Sequence, residues 1–379
     1  MKRICAFLLT IVLLLPIPAC KQEQEQLPEA SEQIITVDIT PEMTATPEPT
    51  PTPVPTESPT PVPPTPEPTA TPEPTPTPQP YVALDGIYTI AWLSDPQHYA
   101  KKYPETYYTM TAFLRDHREE MNLQYIAFTG DMIHNIQISE QWEVAKKAMS
   151  YIDDIPHGVL AGNHDVAGDY GFSKFQQYFG ESKFKDKPWY GGSYHNNRGH
   201  YDLFTAGGTD YIFVYMGYGP SKECFQWVRK MFRKYPDRVG VLCLHDYYTN
   251  DQTLSTDGQK WHDRVVSTTP NLYMVLCGHR YGAYCFPETF DDDGDGRDDW
   301  TVYQMLFNYQ ALDDGGGGFM RLIQIDEANG TMHHLTYSPL WDSYNRFADP
   351  EQRTLSKYYT FDETHEEFTL PLPWRITHD

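Results

Sequence analysis

The chain reads as an α/β protein in which two mixed sheets are flanked by helices. Three observations lead there. From Gly86 onward, short apolar runs alternate with helix-like stretches. Further along, aromatic strand-like runs come in pairs separated by turn residues. Five apolar runs end in short polar motifs: Asp95-Pro96-Gln97, Gly130-Asp131, Gly162-Asn163-His164-Asp165, His245-Asp246 and Gly278-His279.

Taken in order, strands are expected near 87–94, 124–129 and 157–161, with helices near 104–121 and 138–151. Strand-like runs follow at 200–205 and 210–216. A helix is expected near 221–235, where Cys224, Val228, Met231 and Phe232 recur at helical spacing. Strands at 239–244 and 272–277 bracket a helix near 257–267. Two hairpins are expected, 281–286 with 300–308 and 319–325 with 331–337. The alternation in the first half implies a largely parallel sheet with right-handed crossovers. The hairpins imply a second, mixed or antiparallel sheet. Open α/β sheets bind ligands at the carboxyl ends of their strands, and the polar motifs lie there. Residues 341–379 show no clear periodicity.

The chain has 379 residues, and the first 80 differ in character from the rest. Residues 1–20 carry Lys2 and Arg3, an apolar run from Ile4 to Leu15, and Ile17-Pro18-Ala19-Cys20. This reads as an export signal. The run is shorter than the ~20 residues a membrane span needs. A small residue before Cys20 resembles a bacterial lipoprotein signal, which implies lipidation of Cys20 and attachment to the outer face of a membrane. Ordinary signal cleavage is the alternative. Residues 21–80 read as a Pro/Thr-rich disordered stalk, since 17 of the 32 prolines fall in 41–80 and such a stretch is not expected to bury a core. Residues 81–379 suffice for one large domain.

The formal charge is −23. Residues 1–20 contribute +2 and residues 21–80 hold one lysine against ten acids, which leaves −16 for the domain. A domain this acidic does not suit general nucleic-acid binding, which needs Lys and Arg to neutralise phosphates. It offers no polybasic membrane surface either, so a membrane partner would come only through the lipid anchor. The sequence identifies no protein partner. Cys224, Cys243, Cys277 and Cys285 read as buried small hydrophobes.

The ordered set Asp-x-Gln, Gly-Asp, Gly-Asn-His-Asp, His and Gly-His resembles the calcineurin-like metallophosphoesterase family over roughly 87–285. That resemblance implies a calcineurin-like β-sandwich of mixed sheets and two divalent metal ions (Mn, Fe or Zn) bridged by Asp131. One ion would take Asp95, Gln97 and Asp131, the other Asp131, Asn163, His245 and His279. A shared carboxylate is a natural way to hold two cations ~3.5–4 Å apart. The resemblance further implies attack of a metal-bound hydroxide on the phosphorus of a phosphomonoester or phosphodiester. His164 would protonate the leaving oxygen or stabilise the transition state, with Asp165 orienting its imidazole or capping a helix.

The chain departs from the family pattern at Gln97 and Tyr281, where histidines are common. His134, three residues after Asp131, is the candidate to fill the gap, and Tyr281 a weaker one. His98 is less suited, because neighbouring strand residues point to opposite faces. An oxygen-rich first position favours Mn²⁺ over Zn²⁺. Glycines 130, 162 and 278 would let the strand ends turn sharply beside the ions.

The stretch 291–299 contains D-x-D-x-D-G-x-x-D. Asp291, Asp293, Asp295, the Arg297 carbonyl and Asp299 suit a structural Ca²⁺ loop. The alternative is a solvated acidic turn, since position 12 is Val302. Tyr247 and Tyr248 follow His245 and are candidate pocket walls, as His195, Arg198 and His200 are candidate phosphate contacts. A surface binding or adhesion module with weakened catalysis is the competing function.

Overall fold

The computed structural model describes residues 79–291, 294–345 and 365–375. The export signal, Cys20 and the stalk up to residue 78 lie outside the described residues.

Among the described residues, fourteen strands form two seven-stranded sheets. They are β1 (Ile87–Leu93), β2 (Leu123–Phe128), β3 (His157–Gly158), β4 (Tyr190–Tyr194), β5 (Gly199–Ala206), β6 (Thr209–Met216), β7 (Val239–Cys243), β8 (Leu272–Cys277), β9 (Gly282–Phe290), β10 (Trp300–Asn308), β11 (Met320–Asp326), β12 (Thr331–Ser338), β13 (Ser343–Tyr344) and β14 (Phe368–Pro371). Sheet 1 has the order β13-β12-β11-β1-β2-β3, with β14 also on β12. Sheet 2 has the order β4-β5-β6-β7-β8-β10-β9.

Among the described residues, helices flank them, the longer ones being α1 (Gln97–Lys102), α2 (Pro104–Asp116), α3 (Ser139–Ser150), α4 (Ser173–Phe179), α5 (Lys222–Lys234) and α6 (Thr256–Arg264). Proline opens α2, where its missing N–H costs nothing. The Ser255 hydroxyl caps α6 by accepting from the Gly258 amide at 2.9 Å.

The strands alternate as a two-residue period requires. In β1, Ala91 and Leu93 pack with Tyr107, Met110 and Trp142 of the helices over sheet 1. Ile90 and Trp92 face inward and meet Phe213, Tyr215 and Phe307 of sheet 2. The outer face of sheet 2 packs Val214, Leu242 and Val275 against Val228, Phe232 and Trp261 of α5 and α6. Each fully buried large apolar side chain contributes ~1.5–3 kcal/mol, and the layering helix–sheet–sheet–helix buries three such clusters.

The parallel strands are not gathered in one sheet. β1-β2-β3 are parallel in sheet 1, and β6-β7-β8-β10 are parallel in sheet 2. The β11–β12 hairpin extends sheet 1 and the β9–β10 hairpin extends sheet 2. The run 157–161 ladders only at His157 and Gly158; Val159–Ala161 are buried without a sheet partner. Gln97–Lys102 is a helix, so strand alternation does not govern His98, whose ring centre lies 5.4 Å from that of His134. The four described cysteines are buried free thiols.

The C-terminal segment 365–375 returns to sheet 1. Arg321, only 2% exposed, donates to the carbonyls of Glu366 at 3.2 Å and His365 at 2.8 Å. Its guanidinium lies over the rings of Phe307 and Phe368. The Glu366 carboxylate is buried and accepts from the Tyr309 hydroxyl at 2.5 Å.

Candidate metal centre

Every parallel strand of both sheets ends within a few residues of one cavity. β1 delivers Asp95 and Gln97, β2 Asp131, and β3 Asn163 and His164. From sheet 2, β6 delivers Tyr218, β7 His245, β8 His279 and β10 Gln310. One ligand atom each from Asp131, His245 and His279 lies within 4.8 Å of the others. The His245 Nε2 is 2.9 Å from the Asn163 Oδ1 and 3.3 Å from the Asp131 Oδ1. The His245 Nδ1 faces the Thr129 carbonyl at 2.9 Å. That bond fixes the ring and leaves Nε2 as the ligating nitrogen.

Backbone strain accompanies the convergence. Asp95, Asp131 and His279 have φ of 50°, 51° and 66°. Left-handed backbone is uncommon for non-glycine residues and clusters at functional sites. The Arg280 amide also donates to the Gly278 carbonyl at 2.8 Å, closing a γ-turn around His279. Of the three strand-end glycines, Gly130 alone has positive φ, at 102°. Glycines 162 and 278 serve by absence of volume instead. A Cβ on Gly162 would collide with the Asp131 carboxylate, and one on Gly278 with Ser94 and Asp95.

This geometry follows a matching sequence signature. The profile of the calcineurin-like phosphoesterase family matches residues 88–282. The chain belongs to that family. A 256-residue stretch, 67% of the chain, is 43% identical to the uncharacterized protein YvnB of Bacillus subtilis (strain 168), of which it spans 20%. Among solved structures, the purple acid phosphatase PPD1 from yellow lupin (Lupinus luteus) seeds is similar at a TM-score of 0.47 and 10% identity, over 77% of this chain and 55% of that one. The GAP50 protein of Plasmodium is similar at a TM-score of 0.43 and 10% identity, over 68% of this chain and 86% of that one.

In this family member the donor set suits a divalent cation. Carboxylate, amide and imidazole donors converge on one side of Asp131, a mixture suited to Mn, Fe or Zn. The other side is richer in oxygen and amide groups. There the Gln97 amide nitrogen donates to the Asp131 Oδ2 at 3.0 Å and to the Gln310 Oε1 at 2.6 Å. Its oxygen meets the His134 Nδ1 at 3.0 Å. For Gln97 to present its carbonyl beside Asp131, the amide must turn over and release Gln310. Asp95 accepts from the Ser94 hydroxyl and from the His279 amide at 3.0 and 3.2 Å.

His164, Tyr281, Asn250, Arg280 and Gln310 line a cavity of about 150 Å³ together with Gln97, Asp131 and His279. The His164 Nδ1 contacts the His134 carbonyl at 2.6 Å, so its Nε2 is the nitrogen left for the cavity. Asp165 does not orient this ring. Its carboxylate accepts the amides of Met132, Ile133 and Gly162 at 2.9–3.1 Å and ties the Asp131 loop to the Asn163 loop.

Several expected positions fall elsewhere. Tyr247 and Tyr248 are buried under sheet 2, with the Tyr247 hydroxyl on Gln304. His200 is interior and stacks on Tyr215 at 4.5 Å. Arg198 donates to the Gly219 carbonyl at 2.8 Å. Besides Tyr281, an aromatic neighbour of the centre is Tyr218, about 6 Å from the His245 and His279 rings. In the β9–β10 turn both Asp291 oxygens accept backbone amides, of Gly294 at 2.6 Å and Gly296 at 2.8 Å. Asp295 takes the Arg297 amide at 2.8 Å, while Asp293 lies outside the described residues. Asp299 donates its amide to the Phe290 carbonyl at 2.7 Å.

Burial lowers the affinity of His245 for its proton, but the Asp131 carboxylate, helped by Asp95, outweighs burial and holds the pKa near about 10. Burial and the His245 charge bring His279 down to about 3. Burial raises Asp95 to about 7. At pH 8 the metal-free centre therefore carries a protonated His245 beside an already neutral His279. Cation binding should release about one proton, and affinity should rise with pH toward 10. Calorimetric titration of Mn²⁺ in two buffers of different ionisation enthalpy checks this; heats that do not depend on the buffer contradict it.

Proposed function

We propose that the chain is a divalent-metal phosphoester hydrolase. The observation that carries this is the delivery of Asp131, Asn163, His245 and His279 to one edge of a cavity whose wall includes His164. Family membership supports it. Asp131, Asn163, His245 and His279 would hold one cation. Asp95, Gln97, Asp131 and Gln310 would hold a second, more weakly, because the Gln97–Gln310 bond competes. When bound, the cations supply neutralisation of the phosphoryl oxygens and a water acidic enough to act as nucleophile near neutral pH.

The protein's own groups do the remaining work. The Asp131 carboxylate is fixed from both sides, by the His164 amide on Oδ1 and by Gln97 on Oδ2. His164 is held through Nδ1 and by stacking on the His134 ring at 4.9 Å. Its Nε2 can then donate to the leaving oxygen without further ordering. General acid assistance of this kind contributes ~10²–10⁴-fold.

The test is hydrolysis of p-nitrophenyl phosphate and bis-p-nitrophenyl phosphate with added Mn²⁺. His164→Ala should retain the wild-type metal content and lose ~10²–10⁴-fold in turnover. Turnover that survives this change removes His164 from the reaction. No hydrolysis of either ester by the wild type would favour the alternative of a surface binding module, a reading that the amide pair at Gln97 and Gln310 supports.

A further inference from the structure

We infer that Arg280 selects phosphomonoesters by taking the terminal oxygens of a dianionic phosphoryl group at the metal centre. The inference rests on the phosphoesterase reading and names its substrate class. Arg280 lines the cavity beside His279, Asn250 and Tyr281. It is exposed, and among the described residues its guanidinium makes no ion pair with an acid and donates no hydrogen bond. It is the one Lys or Arg lining that cavity.

Its position is set by backbone. The γ-turn at His279 ties the Arg280 amide to the Gly278 carbonyl, and the His279 amide is tied to Asp95. The backbone of Arg280 is therefore fixed next to His279 and Asp95, and the residue lines the cavity.

Two physical arguments point to a monoester. The attraction of Arg280 for a dianionic phosphoryl group is about twice that for the monoanion of a diester. A guanidinium also pairs with two oxygens at once, and a monoester retains three terminal oxygens where a diester retains two. The cavity adds a steric argument. About 150 Å³ is smaller than the ~300–1,000 Å³ that encloses a whole small ligand. One phosphoryl group enters, and one substituent extends outward past Asn250 and Tyr281.

The experiment compares wild type, Arg280→Ala and Arg280→Lys on p-nitrophenyl phosphate and bis-p-nitrophenyl phosphate, with metal content measured for each. Arg280→Ala should lower kcat/KM on the monoester by about 10–100-fold, the value of one charged hydrogen-bonding contact, mostly through KM. The diester should lose several-fold less, and metal content should not change. Lysine should restore part of the monoester activity. Equal losses on both esters, or no loss with metal retained, overturn the inference. If the wild type hydrolyses neither ester, the enzyme reading fails, and inorganic phosphate titrated into the Mn²⁺-loaded protein decides the role of Arg280 alone. Weaker phosphate binding by Arg280→Ala supports the anion site; unchanged binding refutes it.

Discussion

Replacing Asp131 by asparagine is expected to lower turnover by about 10³-fold or more and to reduce the metal that copurifies. No other described side chain ties together so much of the centre. One oxygen accepts the His164 amide at 2.9 Å and lies 3.3 Å from the His245 Nε2, and the other accepts from Gln97. Asparagine is the informative replacement because it tolerates the left-handed backbone at φ 51°. It keeps the shape and removes the charge. Alanine would mix lost ligation with backbone strain. Turnover on p-nitrophenyl phosphate and elemental analysis check the prediction. A variant with full metal and full turnover would show that this carboxylate bridges nothing.

The largest expected loss of stability follows from Arg321→Met. This guanidinium is buried with the Glu366 carboxylate and holds segment 365–375 on sheet 1. Methionine fills part of the volume, but it leaves Glu366 buried without its compensating cation. Losing the two carbonyl bonds and the positive charge that offsets the buried carboxylate is expected to cost ~3–5 kcal/mol, or about 10 °C in Tm for a domain of this size. The double change Arg321→Met with Glu366→Gln should recover much of the loss, because it removes the unpaired charge. Thermal melts give the totals, and hydrogen exchange in 368–371 shows whether β14 detaches. A single variant as stable as wild type would mean that the ionic part of this anchor contributes nothing.

Much of the sandwich was legible because its strands are apolar runs cut off by glycine, aspartate or histidine. Val239–Cys243 and Leu272–Cys277 are buried on both faces, and continuous apolar sequence is what that burial demands. Which sheet each parallel strand joins was not legible. Pairing partners depend on crossovers that sequence alone does not specify. The stretch holding α4 and β4 also escaped, since Tyr190–Tyr194 is two tyrosines, two glycines and a serine with no alternation.

At the centre, the residues found by sequence are those fixed to strand ends by short motifs. Gln310 was missed although it bears the same mark, an apolar strand ending in Asn308-Tyr309-Gln310. An amide there reads as a turn residue until β10 is placed beside β8. Tyr218 and Asn250 sit in loops, where no period tells which way a side chain turns. Strand alternation was the wrong frame for His98, because helix α1 begins only two residues after Asp95.

The candidate donors come from both halves of the sandwich. Asp95, Gln97, Asp131 and Asn163 follow strands of sheet 1, whereas His245, His279 and Gln310 follow strands of sheet 2. A cation gripped by both groups can exist only while the halves are docked, so its whole binding free energy opposes their separation. A bound ion would then act as a rivet through the seam, and the mouth could not gape for a bulkier guest without slackening that grip.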